Sequence, residues 1–189
     1  MTTINSIGTS LSGQSGSGAF SGTISPTFVT PVLGASSATS IAFSSISGII
    51  GTTTNDNAAA GSVGEEVSSV VSYPGAACTS VVPQNVTSIE LTAGDWDVSG
   101  FVGGSGNGST QVIYLYGQAT ATSASIDISQ SACSWGANTA YFDLAPMTAT
   151  PRTTRFSLST TTTIYLVGEM GFTVSTATLY GTIRARRVR

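Results

Sequence analysis

Few side chains in this sequence are suited to chemistry. Among its 189 residues there is no histidine, and cysteine occurs twice. A Ser-His-Asp or Cys-His nucleophile requires an imidazole as its general base, and histidine is also the commonest ligand of catalytic zinc. We therefore predict no catalytic residue, no metal site and no cofactor.

Carboxylates are the remaining candidates, since two of them suffice for a glycosidase and several oxygens together bind Ca²⁺. Asp95 falls in a predicted turn, and Asp97 alternates onto the solvent face of a predicted strand. We interpret the acidic residues as structural and the protein as non-enzymatic, with a glycosidase pair and an isolated calcium site as alternatives. The residues concerned are Glu65, Glu66, Glu90, Asp95, Asp97, Asp127, Asp143 and Glu169.

Trp135 and Asn138 are candidates for contact with a receptor. They lie in the loop-like segment SWGAN, where we expect the indole to be exposed. An aromatic face covers the apolar C–H surface of a sugar while neighbouring polar groups bind its hydroxyls. The sequence therefore suggests a surface glycan as a partner here, with packing of the indole in the core as the alternative.

All six basic residues are arginines, and all lie in the last quarter of the chain. Nucleic acid is not expected as a partner of the body of the protein, because phosphate backbones are bound mainly by Lys and Arg. Guanidinium groups form bidentate pairs with carboxylates. We expect such contacts between subunits from the C-terminal group Arg184, Arg186, Arg187 and Arg189.

The two cysteines, Cys78 and Cys133, do not make a disulfide framework. They are candidates for one bond if the protein meets an oxidising environment. Buried free thiols are the alternative.

Charged residues make up 8% of the chain, where about 25% is usual for soluble proteins, whereas apolar residues reach 40%. A surface so poor in charge is badly protected in a free monomer, so we expect an oligomer or larger assembly to cover much of it. Membrane insertion is not expected, because no stretch approaches the roughly 20 apolar residues of a membrane span. Met1 is also not followed by the pattern of a signal peptide.

Residues 1–64 carry one charged residue, Asp56, and consist largely of Gly, Ser, Thr and Ala. Pro26 and Pro31 favour extended backbone before them. We therefore predict an extended N-terminal attachment arm over residues 1–64. Its large apolar side chains are expected to dock on neighbouring subunits or a larger structure, with the core of the same subunit as the alternative. They are Phe28, Val29, Val32, Leu33, Ile41, Phe43, Ile46, Ile49 and Ile50.

From residue 65 onward the pattern changes to short strands separated by turn signals. Such a series without a helical stretch predicts an all-β fold, an antiparallel β-sandwich of the jelly-roll type over residues 65–189. The last strand places Leu179, Gly181 and Ile183 on one side and is expected to be internal. A tight turn at 92–95 is predicted to join two antiparallel strands, 86–91 and 96–102, and a glycine-rich loop is predicted at 103–109. The predicted strands are 65–71, 86–91, 96–102, 112–116, 140–144, 154–158, 163–167 continuing through 169–174, and 177–186.

Five segments of the chain are distinctive: 26–41 (PTFVTPVLGASSATSI), 51–65 (GTTTNDNAAAGSVGE), 91–100 (LTAGDWDVSG), 164–167 (IYLV) and 180–189 (YGTIRARRVR). They resemble segments of bacteriophage and prophage tail fibre and related virion proteins. In that family a β-rich head, commonly a homotrimer, follows an N-terminal part that attaches to the particle. The resemblance therefore implies a phage virion structural protein, a homotrimeric tail fibre or adhesin-like appendage that the arm anchors to other virion structural proteins.

The resemblance leaves one alternative of a different class. This is a capsid decoration protein, of the cement or head-fibre type, which clamps neighbouring shell subunits and recognises no receptor. The chain has no extended shaft of the kind found in long fibres, which keeps this alternative open. Both readings imply a location in the virion, assembled in the cytoplasm of the host bacterium.

Overall fold

The computed structural model describes residues 53–106, 108–135 and 147–189. Residues Thr53–Arg189 form one compact unit, and every regular element described in it is a β-strand. The predicted all-β fold is therefore confirmed. The predicted docking residues of the arm, between positions 28 and 50, lie outside the described residues, as does the predicted strand at 140–144.

Nine strands are described. They are β1 (Glu66–Cys78), β2 (Gln84–Leu91), β3 (Gly94–Gly106), β4 (Gln111–Thr120), β5 (Ala132–Trp135), β6 (Met147–Ala149), β7 (Thr154–Leu158), β8 (Thr162–Thr173) and β9 (Ala177–Arg187).

These strands form two antiparallel sheets. A five-stranded sheet has the order β1-β9-β3-β6, with β7 also paired to β3, and a four-stranded sheet has the order β2-β8-β4-β5. The first strand thus pairs with the last, the second with the last but one, the third with the β6–β7 segment, and β4 with β5. This is the pairing of one long hairpin folded across two sheets, which is the jelly-roll arrangement.

The hydrophobic core lies between the two sheets. Side chains alternate along each strand, so that Leu179, Ile183 and Ala185 of β9 are buried while Thr182 and Arg184 lie on the outer face. Opposite β9, the four-stranded sheet contributes a second set of fully buried side chains. β9 runs between β1 and β3, which confirms the predicted internal strand. The second set includes Leu115, Ile164, Leu166 and Met170.

The predicted loop at 103–109 is partly wrong, because β3 continues to Gly106. Its glycines face large side chains at close range. A Cβ on Gly103 would lie 2.2 Å from the ring of Tyr180, and one on Gly104 would lie 3.0 Å from the sulfur of Met170. These glycines therefore mark close packing inside a strand, where a glycine leaves room for a neighbour.

Two local features of the chain differ from the predictions. The segment predicted as a loop at 134–138 begins within β5, where the backbones of Ser134 and Trp135 pair with Leu115 and Tyr114 of β4. The turn at 92–95 joins strands that lie in different sheets, β2 and β3. Both differences arise from partners distant in sequence, which local alternation does not specify.

Gly181 of β9 lies against β3 with no room for a side chain. A Cβ there would lie 2.3 Å from the carbonyl oxygen of Phe101 and 3.0 Å from Cδ2 of Leu166. We expect Gly181→Ala to lower the free energy of unfolding by about 1 to 3 kcal/mol, because overpacking displaces the neighbouring backbone. Urea denaturation measures this loss. The control Thr182→Ala, on the outer face, should change it by less than about 0.5 kcal/mol, and an equal loss in both variants would contradict the explanation.

Candidate functional site

Arg187, the last residue of β9, is buried where the chain enters β1. Its side chain is 6% exposed, and its Nε lies 2.9 Å from the carboxylate of Glu65. The guanidinium also donates to the carbonyl of Ala93 at 2.9 Å and to Thr92 Oγ1, and Cζ lies 4.3 Å from the ring centroid of Trp96. The prediction that Arg187 contacts another subunit is therefore wrong, because its charge is paired inside its own chain.

The backbone around Arg187 is paired on both sides. Its N–H donates to the carbonyl of Glu65, and the N–H of Gly64 donates to the carbonyl of Arg187, both at 2.9 Å. On the other side, the N–H of Val188 donates to the carbonyl of Asp95 at 2.9 Å. We call Glu65, Trp96 and Arg187 the terminal cluster, since it ties the residues that precede β1 to the end of the last strand. The end of the sandwich that holds it is called the entry end.

Asp95 lies at the same end beneath two arginines. Its carboxylate pairs with Arg155 at 3.0 Å and with Arg189, and its side chain is 7% exposed. Hydrogen bonds from Arg189 and then from Ser157, with a further contribution from Arg155, lower the pKa of Asp95 from 3.8 to about 2. Hydrogen bonds from the backbone of Gly61 and from Arg187 likewise lower the pKa of Glu65.

Two of the four C-terminal arginines lie on the outer face of the five-stranded sheet. Arg184 pairs with Glu66 and is 55% exposed. Arg186 lies between Glu66 and Asp97 in the strand register and forms no ion pair with another described residue. Contact of Arg184, Arg186 and the exposed Arg189 with another subunit stays a prediction.

Three connections lie at the other end of the sandwich, and we call them the distal loops: residues 79–83, 108–110 and 174–176. The strand register puts them there, since Cys78 pairs with Ala177 and Ala177 pairs with Gly106. In contrast, Arg186 pairs in the strand register with Glu66 and with Asp97 near the entry end. The sequence of the distal loops contains no charged residue.

Hydrogen bonds fasten the distal loops to the sandwich and to each other. The hydroxyl of Ser80 donates to the carbonyl of Phe172 at 2.7 Å and accepts from the N–H of Phe172 at 3.0 Å. Thr110, which is 1% exposed, donates its hydroxyl to the carbonyl of Thr176 at 2.8 Å. Because these groups are satisfied within the protein, the loops present a fixed shape.

Two valines of the distal loops have left-handed backbone conformations. Val81 has φ of 62° and Val174 has φ of 58°, and their side chains are 61% and 66% exposed. A β-branched residue is rare in this conformation, which costs of order 1 to 3 kcal/mol. The fold therefore holds two apolar side chains in solvent at a local cost, which is typical of a contact surface.

The other predicted site residues contribute little to a described site. The backbone of Trp135 ends β5, but its side chain and the whole of Asn138 lie outside the described residues. Cys78 is partly buried and forms no disulfide with a described side chain, and burial raises the pKa of its thiol to about 11. The side chain of Cys133 also lies outside the described residues, and its pairing with Cys78 stays a prediction.

Neither metal binding nor a membrane-spanning helix finds support in the described part of the chain. No group of three His, Cys, Asp or Glu residues there is placed to hold a metal ion. No helix among the described residues is long and apolar enough to cross a membrane.

The burial of Arg187 had a signal in the sequence. Strict alternation from Leu179 through Ile183 and Ala185 places Arg187 on the core side of β9, whereas Arg184 and Arg186 fall on the outer side. The exposed valines of the distal loops had no comparable signal, because their exposure depends on positive φ angles that a valine rarely adopts.

No protein-family model, no curated protein and no solved structure matches the chain.

Arg187 and Arg186 offer a matched test of the terminal cluster, since they are neighbours on opposite faces of β9. We expect Arg187→Met to lower the free energy of unfolding by about 3 to 5 kcal/mol, because Glu65 would be left without its buried partner. Arg186→Met should change it by less than about 0.5 kcal/mol. Urea denaturation followed by tryptophan fluorescence measures the free energy of unfolding of both variants. Similar losses in the two variants would contradict the assigned role of Arg187.

The low pKa values of Asp95 and Glu65 predict sensitivity to acid. Both pKa values lie below the ordinary values of 3.8 and 4.5 in the folded state, so the carboxylates stabilise the fold above those ordinary values. Each loses this effect as the pH falls through its lowered pKa, which for Asp95 is about 2. We expect the free energy of unfolding to decline between about pH 5 and about pH 2. Asp95→Asn should be less stable at neutral pH and decline less steeply; an unchanged slope would contradict the assignment.

Proposed function

We propose that the protein is a phage virion structural protein, a homotrimeric tail-fibre or adhesin-like appendage. Its N-terminal arm anchors it to other virion proteins, and its distal loops contact the host surface. The resemblance of residues 51–65, 91–100 and 180–189 to phage tail fibre and related virion proteins supports the virion location. The jelly-roll sandwich suits a compact head behind an attachment segment.

One observation carries the proposed adhesive role: the two ends of the sandwich, along the direction of its strands, differ in what they hold. The chain enters β1 beside Arg187, which places the start of the sandwich at the entry end. The distal loops lie at the opposite end of the same strands. We propose that the entry end faces the particle and that the distal loops point outward.

The chemistry of the distal loops favours an uncharged partner. Their exposed groups are the side chains of Val81, Val82 and Val174 together with serine and threonine hydroxyls. Apolar surface beside hydroxyls complements the C–H faces and hydroxyls of a neutral saccharide. A host surface glycan is therefore the partner that we propose, and Trp135 and Asn138 remain candidates for a second contact.

Replacing the strained valines tests the adhesive role without harming the fold. Asparagine adopts the left-handed conformation more readily than valine, so Val81→Asn and Val174→Asn should leave the free energy of unfolding unchanged or raise it by about 1 kcal/mol each. The double variant of the full-length chain should nevertheless lose at least about tenfold in affinity for host cells, because apolar contact area is removed. Flow cytometry with fluorescently labelled protein measures this binding.

The matched control is Ile128→Asn, since Ile128 is 68% exposed and lies in the β4–β5 connection rather than in the distal loops. It should bind cells as the parent does. Periodate oxidation of the cells should abolish binding, and raising NaCl from about 0.05 M to about 0.5 M should weaken it less than about twofold, since no charge pair is involved. Unchanged binding by the double variant would overturn the role of the distal loops.

The capsid decoration alternative predicts a different result from the same protein. The full-length chain would fail to bind host cells, yet it would bind virions that lack it and raise their resistance to heat, because clamping of shell subunits stabilises the assembled particle. Adsorption of those virions would remain intact.

A further inference from the structure

The protein's own chain covers the outer face of the four-stranded sheet, whereas the outer face of the five-stranded sheet exposes apolar side chains. On the four-stranded sheet, Val167 is fully buried although it lies on the side of β8 opposite to the core residue Leu166. The β4–β5 connection is held over this face, because the N–H of Ala124 donates to Asn85 at 2.7 Å and the N–H of Asp127 donates to Gln118 at 2.8 Å. Asn85 and Gln118 are the residues paired with Val167 on either side. This sheet thus receives its cover from its own chain.

The five-stranded sheet leaves large apolar groups exposed on its outer face. Val70 and Tyr73 of β1 are 61% and 58% exposed. The ring centroid of Tyr180 lies 5.6 Å from that of Tyr73 and 6.3 Å from that of Phe101. A shallow depression of about 620 Å³, lined in part by Phe101 and Thr182, continues this surface toward β6. We call Val70, Tyr73, Phe101 and Tyr180 the apolar face.

Charge differs between the two edges of the same sheet. In the strand register Glu66 of β1 pairs with Arg186, Arg186 with Asp97, and Asp97 with Arg155 of β7. The row begins with an acid at the β1 edge and ends with a base at the β7 edge. Glu66 also pairs with Arg184 and Arg155 with Asp95 within the chain, but the Glu66 and Arg155 side chains remain 38% and 54% exposed. Opposite charges therefore meet when the β1 edge of one copy approaches the β7 edge of the next, a head-to-tail contact of the type that forms rings.

We propose that the copies of the trimer meet head to tail through this sheet, with β1 of one copy placed on the β6–β7 side of the next and the apolar face buried between them. This proposal rests on the homotrimer of the proposed function and locates its interface. It assigns the four-stranded sheet to the outside of the trimer, where its own connection already covers it. It also accounts for a chain with few charges that exposes two large side chains on one strand.

The test is the mass of the full-length chain in solution. By analytical ultracentrifugation the parent should have the mass of three chains. Val70→Glu should raise the concentration at which the trimer dissociates at least about tenfold, because a charge in the interface would lose its hydration without a partner. Ile128→Glu places the same charge at a site of similar exposure on a different surface and should leave the trimer unchanged. A monomeric parent, or equal effects of the two variants, would overturn the proposal.

A second measurement needs no variant. Hydroxyl-radical oxidation of Tyr73 should be slow in the parent at high protein concentration and should increase at least about threefold on dilution below the dissociation point. An oxidation rate that is independent of concentration would overturn the interface even if Val70→Glu failed to fold.

Cell binding by the parent is scored in parallel, so that the two proposals fail separately. If the trimer depends on Val70 but does not bind host cells, the proposed interface is supported and the adhesive function is contradicted. Cell binding by a chain that remains monomeric keeps the adhesive role and removes the interface.

Discussion

The buried guanidinium of Arg187 is the contact on which the closure of the sandwich depends. It joins the last strand to Glu65 just before the first strand, and it packs on Trp96 at the start of β3. A jelly roll needs such a closure, because its first and last strands are neighbours in one sheet although they are far apart in sequence. The entropy cost of closing so long a loop must be offset by contacts at its ends.

Charged residues are few, and their placement makes the two ends of the sandwich chemically different. Several of its charged residues, including Glu65, Asp95, Arg187 and Arg189, are paired with one another at the entry end. The distal loops hold only hydroxyls, backbone and apolar side chains. One end of the sandwich is therefore fixed by ion pairs with low carboxylate pKa values, while the other offers a surface whose binding would not depend on salt. On the outer face of the five-stranded sheet the charged residues Glu66, Arg186 and Asp97 pair near the entry end. The apolar face beyond them, Val70, Tyr73, Phe101 and Tyr180, contains no charged residue.

Regular alternation was the part of the sequence that predicted structure well. The strands around 86–91, 154–158 and 177–186 were found close to their predicted limits, because a period of two specifies a half-buried strand locally. The glycines at 103–106 were misinterpreted as a loop, since glycine also serves where a ring such as that of Tyr180 fills the space of a side chain. Strand β5 is stabilised by backbone pairing with β4, and the four residues of β5 carry no local pattern that predicts this pairing.

The sequence by itself determined the all-β class, the core side of β9 and the absence of histidine-based chemistry, because each follows from residue type or from the order of neighbouring residues. Tertiary structure alone decided that the buried Arg187 pairs with Glu65 and packs on Trp96. It also decided that Val81 and Val174 lie exposed in left-handed conformations at the same end. These outcomes depend on segments brought together from about a hundred positions apart. Pairing at that distance is settled by the packing of the whole sandwich, which no local pattern encodes.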